Sequence, residues 1–544
     1  MKKTMMLVLV CVIALTGVMS LNVFAADIWD GTTVDTSWYN TSGTEFTIDT
    51  AAKLAGLAQI VNGTADKIGQ DSFSGKTVTL GDDIDLADYE WTPIGRDGSA
   101  FSGVFNGAGH VISNLNITGN NSDIGLFGFT ARGEIYDFTV ENASVEGYLD
   151  VGVVAGTPYT TKYSNITVRG LIKVDGFAYV GGAFGKNAYA DLINIDVIGD
   201  DNSYVKAESG IYRTYVGGLI GFIGEGDKVI QDCDVAIDVS GSTCDVGGIT
   251  GILHYGNKII NCTYEGSIEL TAADPENAGE IGGIAGTVLT NGNVATTIEN
   301  SVANVESAVV TQNDGESADV TETLTAAGAF YNEEHKINGE FTVEATVNDR
   351  EESFSNVAAR IGEKGYTFFS AALDAAQAGD TIVLAADVEN CDKILVGNGG
   401  VSSLTVDLNG HNIGFAANNC FQVYGGELNV TGTGTIYEES PYYSPIMMYG
   451  SNADIADYSV VTIGENVTSK GWSGLFIDQN DDANYGMKAN VYGTLVSVLD
   501  RTGAAGHGLY VNGSIKNQSN CPVITLDGAT IVSDGNGMYL PGYA

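Results

Sequence analysis

The side chains of this chain that titrate near neutrality are His110, His254, His335, His411 and His507, its first candidates for acid–base work or metal ligation. His110 and His411 close two similar segments, Asn106-Gly107-Ala108-Gly109-His110 and Asn409-Gly410-His411. A residue recurring at the same turn of a duplicated segment is expected to hold a corner rather than turn over a substrate. Asp82, Asp83 and Asp85 carry the hard oxygen ligands that calcium takes, and Asp478, Asp481 and Asp482 form a second acidic loop. Neither spacing fits a calcium-loop signature, so turn carboxylates are expected, and calcium is the one cofactor these residues allow.

Hydrolysis of a glycosidic bond needs two carboxylates facing that bond. With 68 Asp and Glu, coincidental pairs are certain, while the 24 Lys and Arg never recur with a carboxylate at a fixed repeat position. The sequence therefore assigns no catalytic residue and no metal site. Binding has a better basis in the 26 tyrosines. Tyr148, Tyr159, Tyr163, Tyr179 and Tyr189 cluster near repeat corners, and Tyr442 and Tyr443 sit in a loop insertion. Aromatic faces stack on sugars and anchor protein interfaces, although for any single tyrosine packing along the rim of the fold is expected. Cys233 and Cys262 occupy equivalent repeat positions, close enough in a stacked fold for a disulfide, although buried free thiols are expected. With Cys244, Cys391, Cys420 and Cys521 they make an even set, and no CxxC pair indicates zinc.

Two alternating elements must position these groups. One is an apolar residue, a spacer, then Asn or Asp followed by alternating apolar positions, with Asn114, Asp137, Asn165, Asn194, Asp232, Asn261 and Asn300 at its centre. The other is glycine, two mostly apolar residues, glycine: Gly125–Gly128, Gly182–Gly185, Gly218–Gly221, Gly248–Gly251 and Gly283–Gly286, with Gly156 ending a variant that begins at Val153. A Val or Ile precedes each from Val151 on, at Val151, Val180, Val216, Val246 and Ile281. The period of about 28 to 39 residues is that of a solenoid, in which stacked repeats bury a core that one repeat cannot bury alone. Asn and Asp tolerate the left-handed backbone of a sharp corner, and stacked copies can hydrogen-bond as a ladder. Asp137 and Asp232 are each expected to lie between asparagines, which keeps like charges apart. The 72 glycines are expected to supply the positive φ that tight turns need.

The combination of Gly-apolar-apolar-Gly with the apolar-x-Asn strand resembles the GLUG repeat of bacterial surface proteins. The preceding segment is also similar: Leu80-Gly-Asp-Asp-Ile-Asp-Leu86, Trp91-Thr-Pro-Ile-Gly95 and Phe101-Ser-Gly-Val-Phe-Asn-Gly-Ala-Gly-His110. The resemblance covers roughly residues 45 to 305 and implies a secreted or surface-bound β-helical region. GLUG repeats also flank the peptidase of IgA-specific metalloproteases. This chain lacks His-Glu-x-x-His, so that activity does not transfer.

The expected fold is all-β: a right-handed parallel β-helix, or β-solenoid, in two tandem modules with short helical N-caps. Residues 26–305 form the GLUG-type module, with a helix over Ala52–Val61 as its cap. Residues 306–360 read as a linker or small β-insert. Residues 361–544 restart the theme with a helix over Phe368–Ala378 and continue through Gly474-Leu-Phe-Ile477, Gly508-Leu-Tyr-Val511 and Gly537-Met-Tyr-Leu540. That module resembles pectate-lyase-like β-helix repeats and is expected to be truncated at its C-terminus.

Lys2, Lys3, the apolar stretch Met5–Met19 and the small residues before Ala25 predict a secretory signal peptide over residues 1–25, cleaved after Ala25. The mature chain is expected to be secreted or on a bacterial cell surface, with no membrane insertion. A net charge of −44 excludes nucleic acid and anionic membrane surfaces as partners. The expected function is non-catalytic: a rigid stalk or adhesin-like platform for glycans or for host or cell-surface proteins. A polysaccharide lyase or glycoside hydrolase on the same fold, and a structural envelope component, are the alternatives.

Overall fold

The computed structural model describes residues 27–544 apart from 188, 209–213, 225, 272–278, 291–294, 313–314, 333–340, 363, 439, 441–442, 451–458, 479–486, 499–505, 514–521, 536 and 541–544. The expected signal segment 1–25, His335, Tyr442, Asp481, Asp482 and Cys521 lie outside the described residues. Among these, the chain is all-β with two short helices, and most strands pair in parallel. No helix is long and apolar enough to cross a membrane.

One passage of chain shows how the repeats are laid down. Lys162–Gly176 lies in a first sheet, Ala178–Gly181 in a second and Phe184–Asn187 in a third, before Leu192–Gly199 returns to the first beside Lys162–Gly176. Tyr163 pairs with Leu192, Val180 with Val216, and Phe184 with Ile220. The recurrent apolar position then forms one row across the second sheet: Ile124, Val151, Val180, Val216, Val246 and Ile281. The period-2 alternation turns these residues inward and their neighbours outward. All but Ile281 are buried.

The first core gathers buried side chains from Trp29 to Val347, and a separate one gathers those from Ala359 to Val511. Among the described residues, no strand of the first set pairs with one of the second. The helix Ala51–Asn62 begins at Thr50, whose side chain accepts from the Lys53 amide, and stops at left-handed Gly63. It buries Leu54, Leu57, Ile60 and Val61 in the first core. Phe369–Ala375 is shorter than expected because Ala376 is already extended, at ψ 139°. It buries Phe369 and Ala372 in the second core.

Two expectations need correction. The first concerns the boundary at 305 and the stretch 306–360. Strand Thr296–Thr311 runs straight through residue 305, and Phe341–Val347 pairs with it in parallel. Phe341, Val343, Ala345 and Val347 join the first core. This strand alternates like the others but carries neither the apolar-x-Asn unit nor the glycine unit, so the sequence motif stops where the sheet continues. Only from Ala359–Ile361, antiparallel to Thr381–Leu384, does the second set begin.

The second correction is the reason for the glycines. None of Gly125, Gly128, Gly156, Gly182, Gly185, Gly218, Gly221, Gly248, Gly251, Gly283 and Gly286 has a positive φ. All but Gly283, which faces the Ala303 side chain, mark close backbone approach where the second and third sheets meet. A Cβ on Gly218 would stand 2.4 Å from the Gly248 carbonyl oxygen, and one on Gly185 would stand 2.3 Å from the Val151 amide nitrogen.

Candidate functional site

The corner residues come first because they set the orientation of everything outside the core. Asn114, Asp137, Asn165, Asn194, Asp232, Asn261 and Asn300 all adopt the left-handed backbone, with φ between 49° and 65°. Asn194 Nδ2 donates to Asn165 Oδ1 at 3.0 Å, and Asn261 Nδ2 to Asp232 Oδ1 at 2.9 Å. Asp232 lies between Asn194 and Asn261 in register. Asn114 belongs to another column. Leu115 pairs with Ala143, which sets Asn114 beside Asn142 rather than Asp137. It donates to Asp85 Oδ1 at 2.7 Å and accepts from Asn142 Nδ2 at 3.4 Å. Glu134–Glu146 is long enough to serve both columns, and this displaced the count by one position. Asp137 therefore has an asparagine, Asn165, on one side only. Sequence reasoning missed Asn142, left-handed at φ 58°, although Val140-Glu141-Asn142 repeats the apolar-x-Asn spacing.

The histidines of the paired turns hold equivalent places. His110 Nδ1 lies 3.1 Å from Asp83 Oδ1, which also accepts from the Val111 amide at 2.9 Å. His411 Nδ1 lies 3.5 Å from Asp387 Oδ1, which accepts from the Asn412 amide at 2.8 Å. Asp82 accepts from the Asp83 amide, and Asp85 from the Ala87 amide and Asn114. The three calcium candidates are thus engaged in turn hydrogen bonds. Among the described residues, no group of three or more His, Cys, Asp or Glu is placed to hold a metal.

The tyrosines divide. Tyr163 is fully buried, with its hydroxyl 2.7 Å from Thr130 Oγ1, and burial raises its pKa. Tyr148 stacks on Phe177 with centroids 4.9 Å apart, and Tyr179 stacks on Tyr215 under the Lys186 ammonium. Tyr159 and Tyr189 keep 37% and 43% of their surface exposed and meet edge to face at 5.9 Å.

Tyr159 borders an open groove of about 580 Å³. Phe129 and Tyr159, stacked at 6.3 Å, supply an aromatic wall. Gln70, Ser72, Ser99 and Ser102 supply neutral polar groups, and Arg132 the only charge in the lining. Adjacent strands position the wall: Tyr159 pairs with Ala131, and Thr157 with Phe129. The Arg132 amide donates to the Tyr159 carbonyl at 3.1 Å. Such a surface can stack a sugar ring while hydrogen-bonding its hydroxyls.

Two residues before Tyr159, in the middle of strand Ala155–Tyr159, Thr157 Oγ1 donates to Asp123 Oδ1 at 2.6 Å. Asp150 is the in-register neighbour of Asp123. Burial, then the Asp123 charge, pushes Asp150 up to about 7 against the pull of Lys186. Burial also raises Asp123. Sequence reasoning passed over this pair because neither aspartate belongs to either repeat motif.

Cys233, Cys244, Cys262, Cys391 and Cys420 are free thiols. Cys233 and Cys262 are fully buried neighbours in register, and their sulfurs donate to the backbone carbonyls of Gln231 and Ile260.

The chain matches no protein-family profile. A 91-residue stretch is 45% identical to part of Halomucin from Haloquadratum walsbyi, taking in 16% of this chain and 1% of that protein. A crystal structure of a candidate immunoglobulin A1 protease from Bacteroides ovatus is similar over 53% of this chain and 83% of that one, at 21% identity and a TM-score of 0.37.

Proposed function

We propose that the chain is an exported, right-handed parallel β-helix in two modules, each begun by a helical cap, acting without catalysis as a rigid glycan-binding platform at a bacterial cell surface. The in-register parallel pairing of successive repeats supports the winding, and parallel crossovers are right-handed on steric grounds. The left-handed Asn/Asp corners and glycine units support kinship with GLUG-repeat surface proteins. Lys2, Lys3 and the apolar stretch after them support export, with cleavage after Ala25.

The observation that carries the function is the groove beside Tyr159. It combines a two-ring aromatic wall with serine and glutamine side chains and no lining carboxylate. An open site of this kind holds a ligand without enclosing it, which suits adhesion better than turnover. The test is an array of glycans and host surface proteins probed with the whole chain and with Tyr159→Ala. Glycan capture lost in the variant supports the platform. Silence toward every glycan removes it and leaves a structural envelope role ahead; capture confined to proteins replaces glycan binding with protein binding.

A glycoside hydrolase is the second reading, favoured by the Asp123–Asp150 pair. An acid held protonated up to about 7 beside a second carboxylate has the division of labour that glycoside cleavage uses. A reducing-end assay on acidic and neutral polysaccharides, with and without calcium, decides it. Turnover abolished by Asp150→Asn would replace the platform reading.

A further inference from the structure

We propose that this groove selects carboxylated sugars, such as uronates, and that Arg132 reads the carboxylate; the inference rests on the glycan-platform reading above. It starts from charge. The chain has 68 acidic side chains against 24 basic ones, so a cation has carboxylates within easy reach. The other described arginines have partners. Arg169 pairs with Glu141, Arg96 donates to the Asn62 carbonyl, Arg350 donates to the Leu324 carbonyl, and Arg360 is also engaged. Among the described residues, the Arg132 guanidinium makes no ion pair and no hydrogen bond. Its neighbour Glu134 turns to Lys162 instead.

Backbone geometry points the same way. Arg132, Thr160 and Tyr189 follow strands of the third sheet, and all three are left-handed, with φ of 60°, 52° and 68°. At the Asn114 and Asn165 corners the same conformation is given to asparagine, which tolerates it best. Beside the groove it is held by an arginine, a β-branched threonine and a tyrosine, none of which eases the turn. Tyr179 and Thr243 are left-handed outside the groove lining, so the conformation alone does not mark the site; its coincidence with the unpaired guanidinium does. Here the strain falls on the charge of the groove and on a ring beside its aromatic wall.

The chemistry follows from the fork of the guanidinium. It presents paired N–H donors that match a carboxylate bidentately, which a neutral hydroxyl cannot match. The wall of Phe129 and Tyr159 offers a place for the sugar ring, while Gln70 and the serines are neutral donors and acceptors for its hydroxyls.

The test compares oligogalacturonate with its fully methyl-esterified form, which differ only in the charged carboxylate, by calorimetric titration into the whole chain at about 0.15 M salt, where the repulsion from a net charge of −44 is screened beyond about 8 Å. The acid form should bind at least about tenfold tighter. Arg132→Gln should bring it to the level of the ester without weakening the ester, and Arg132→Lys should recover only part of the difference. Tyr159→Ala should weaken both. Equal binding of acid and ester, or an Arg132→Gln loss shared by both, overturns the selection while leaving the platform standing. Capture of neither form, alongside capture of neutral glycans on the array, also overturns it. If nothing binds in either experiment, the platform reading falls and this inference with it. Unchanged circular dichroism and melting temperature of Arg132→Gln separate a binding loss from misfolding.

Discussion

Asp150 stands opposite Asp123 on the neighbouring parallel strand, and its Oδ1 is buried with no hydrogen-bond partner among the described residues. In the folded chain its pKa is raised to about 7, whereas in the unfolded chain it ionises near 3.8. Below that value both states are protonated and the site costs nothing. As pH rises toward 7 only the unfolded state sheds the proton freely, so the folded state loses stability across that window. Asp150→Asn should therefore stabilise the protein at pH 8 by on the order of 4 kcal/mol and leave it almost unchanged at pH 3. Urea midpoints at the two pH values provide the check; an equal gain at both would show that ionisation is not the cause.

The ladder predicts a charge-specific defect. Asn261→Asp removes the donor to Asp232 and sets two carboxylates side by side in register. Loss of the hydrogen bond costs about 1 kcal/mol, and repulsion adds to it. Because the site is exposed, about 1 M salt should recover the repulsive part only, whereas acid, by protonating one carboxyl, supplies a donor as well. Asn194→Ala loses its bond to Asn165 and the residue type suited to φ 55°, for roughly 2 kcal/mol in total, insensitive to salt.

The glycine unit predicts a steric defect of a different kind. Gly218→Ala sets a methyl group 2.4 Å from the Gly248 carbonyl oxygen, which belongs to paired backbone and cannot swing aside. A loss of about 3 kcal/mol or a failure to fold is expected. Gly98→Ala is the control for backbone preference, since Gly98 has a φ of 80° with open space around it. Thermal melts of both decide whether contact or φ governs the repeat; a milder loss at Gly218 than at Gly98 would reverse the assignment.

Thiol chemistry should follow burial. Burial raises the pKa of Cys233 and Cys244 and pushes Cys391 and Cys420 up to about 12, which keeps the nucleophilic thiolate scarce at neutral pH. An aromatic disulfide reagent should react sluggishly with the native chain and with at least the five described cysteines in urea. A count below five in urea would mean that a disulfide has formed.

Legibility from sequence followed the physical range of each signal. Left-handed corners and inward rows leave a local imprint, because Asn165 or Val180 must satisfy its own backbone or its own face of a strand. The strand Phe341–Val347 alternates equally well and ends at left-handed Asn348, but it lacks the apolar-x-Asn and glycine units, so its membership in the first sheet depends on a partner about 45 residues earlier. The groove is less local still. Gln70, Ser99, Arg132 and Tyr159 meet because of parallel register, and no short window of sequence contains more than one of them. The Asp123–Asp150 pair arises from register in the same way.

The register has an evolutionary corollary. Asp137, Asn165 and Asn194 face one another one repeat apart, and each corner touches only the repeats on either side. Excising the 29 residues from Asn165 through Ile193 would bring Asn194 opposite Asp137, with a donor again meeting an acceptor. The chain can thus lengthen or shorten in whole repeats without retuning the rest. The length of the stacked repeats is a quantity that recombination can adjust in steps, independently of the residues that line the groove.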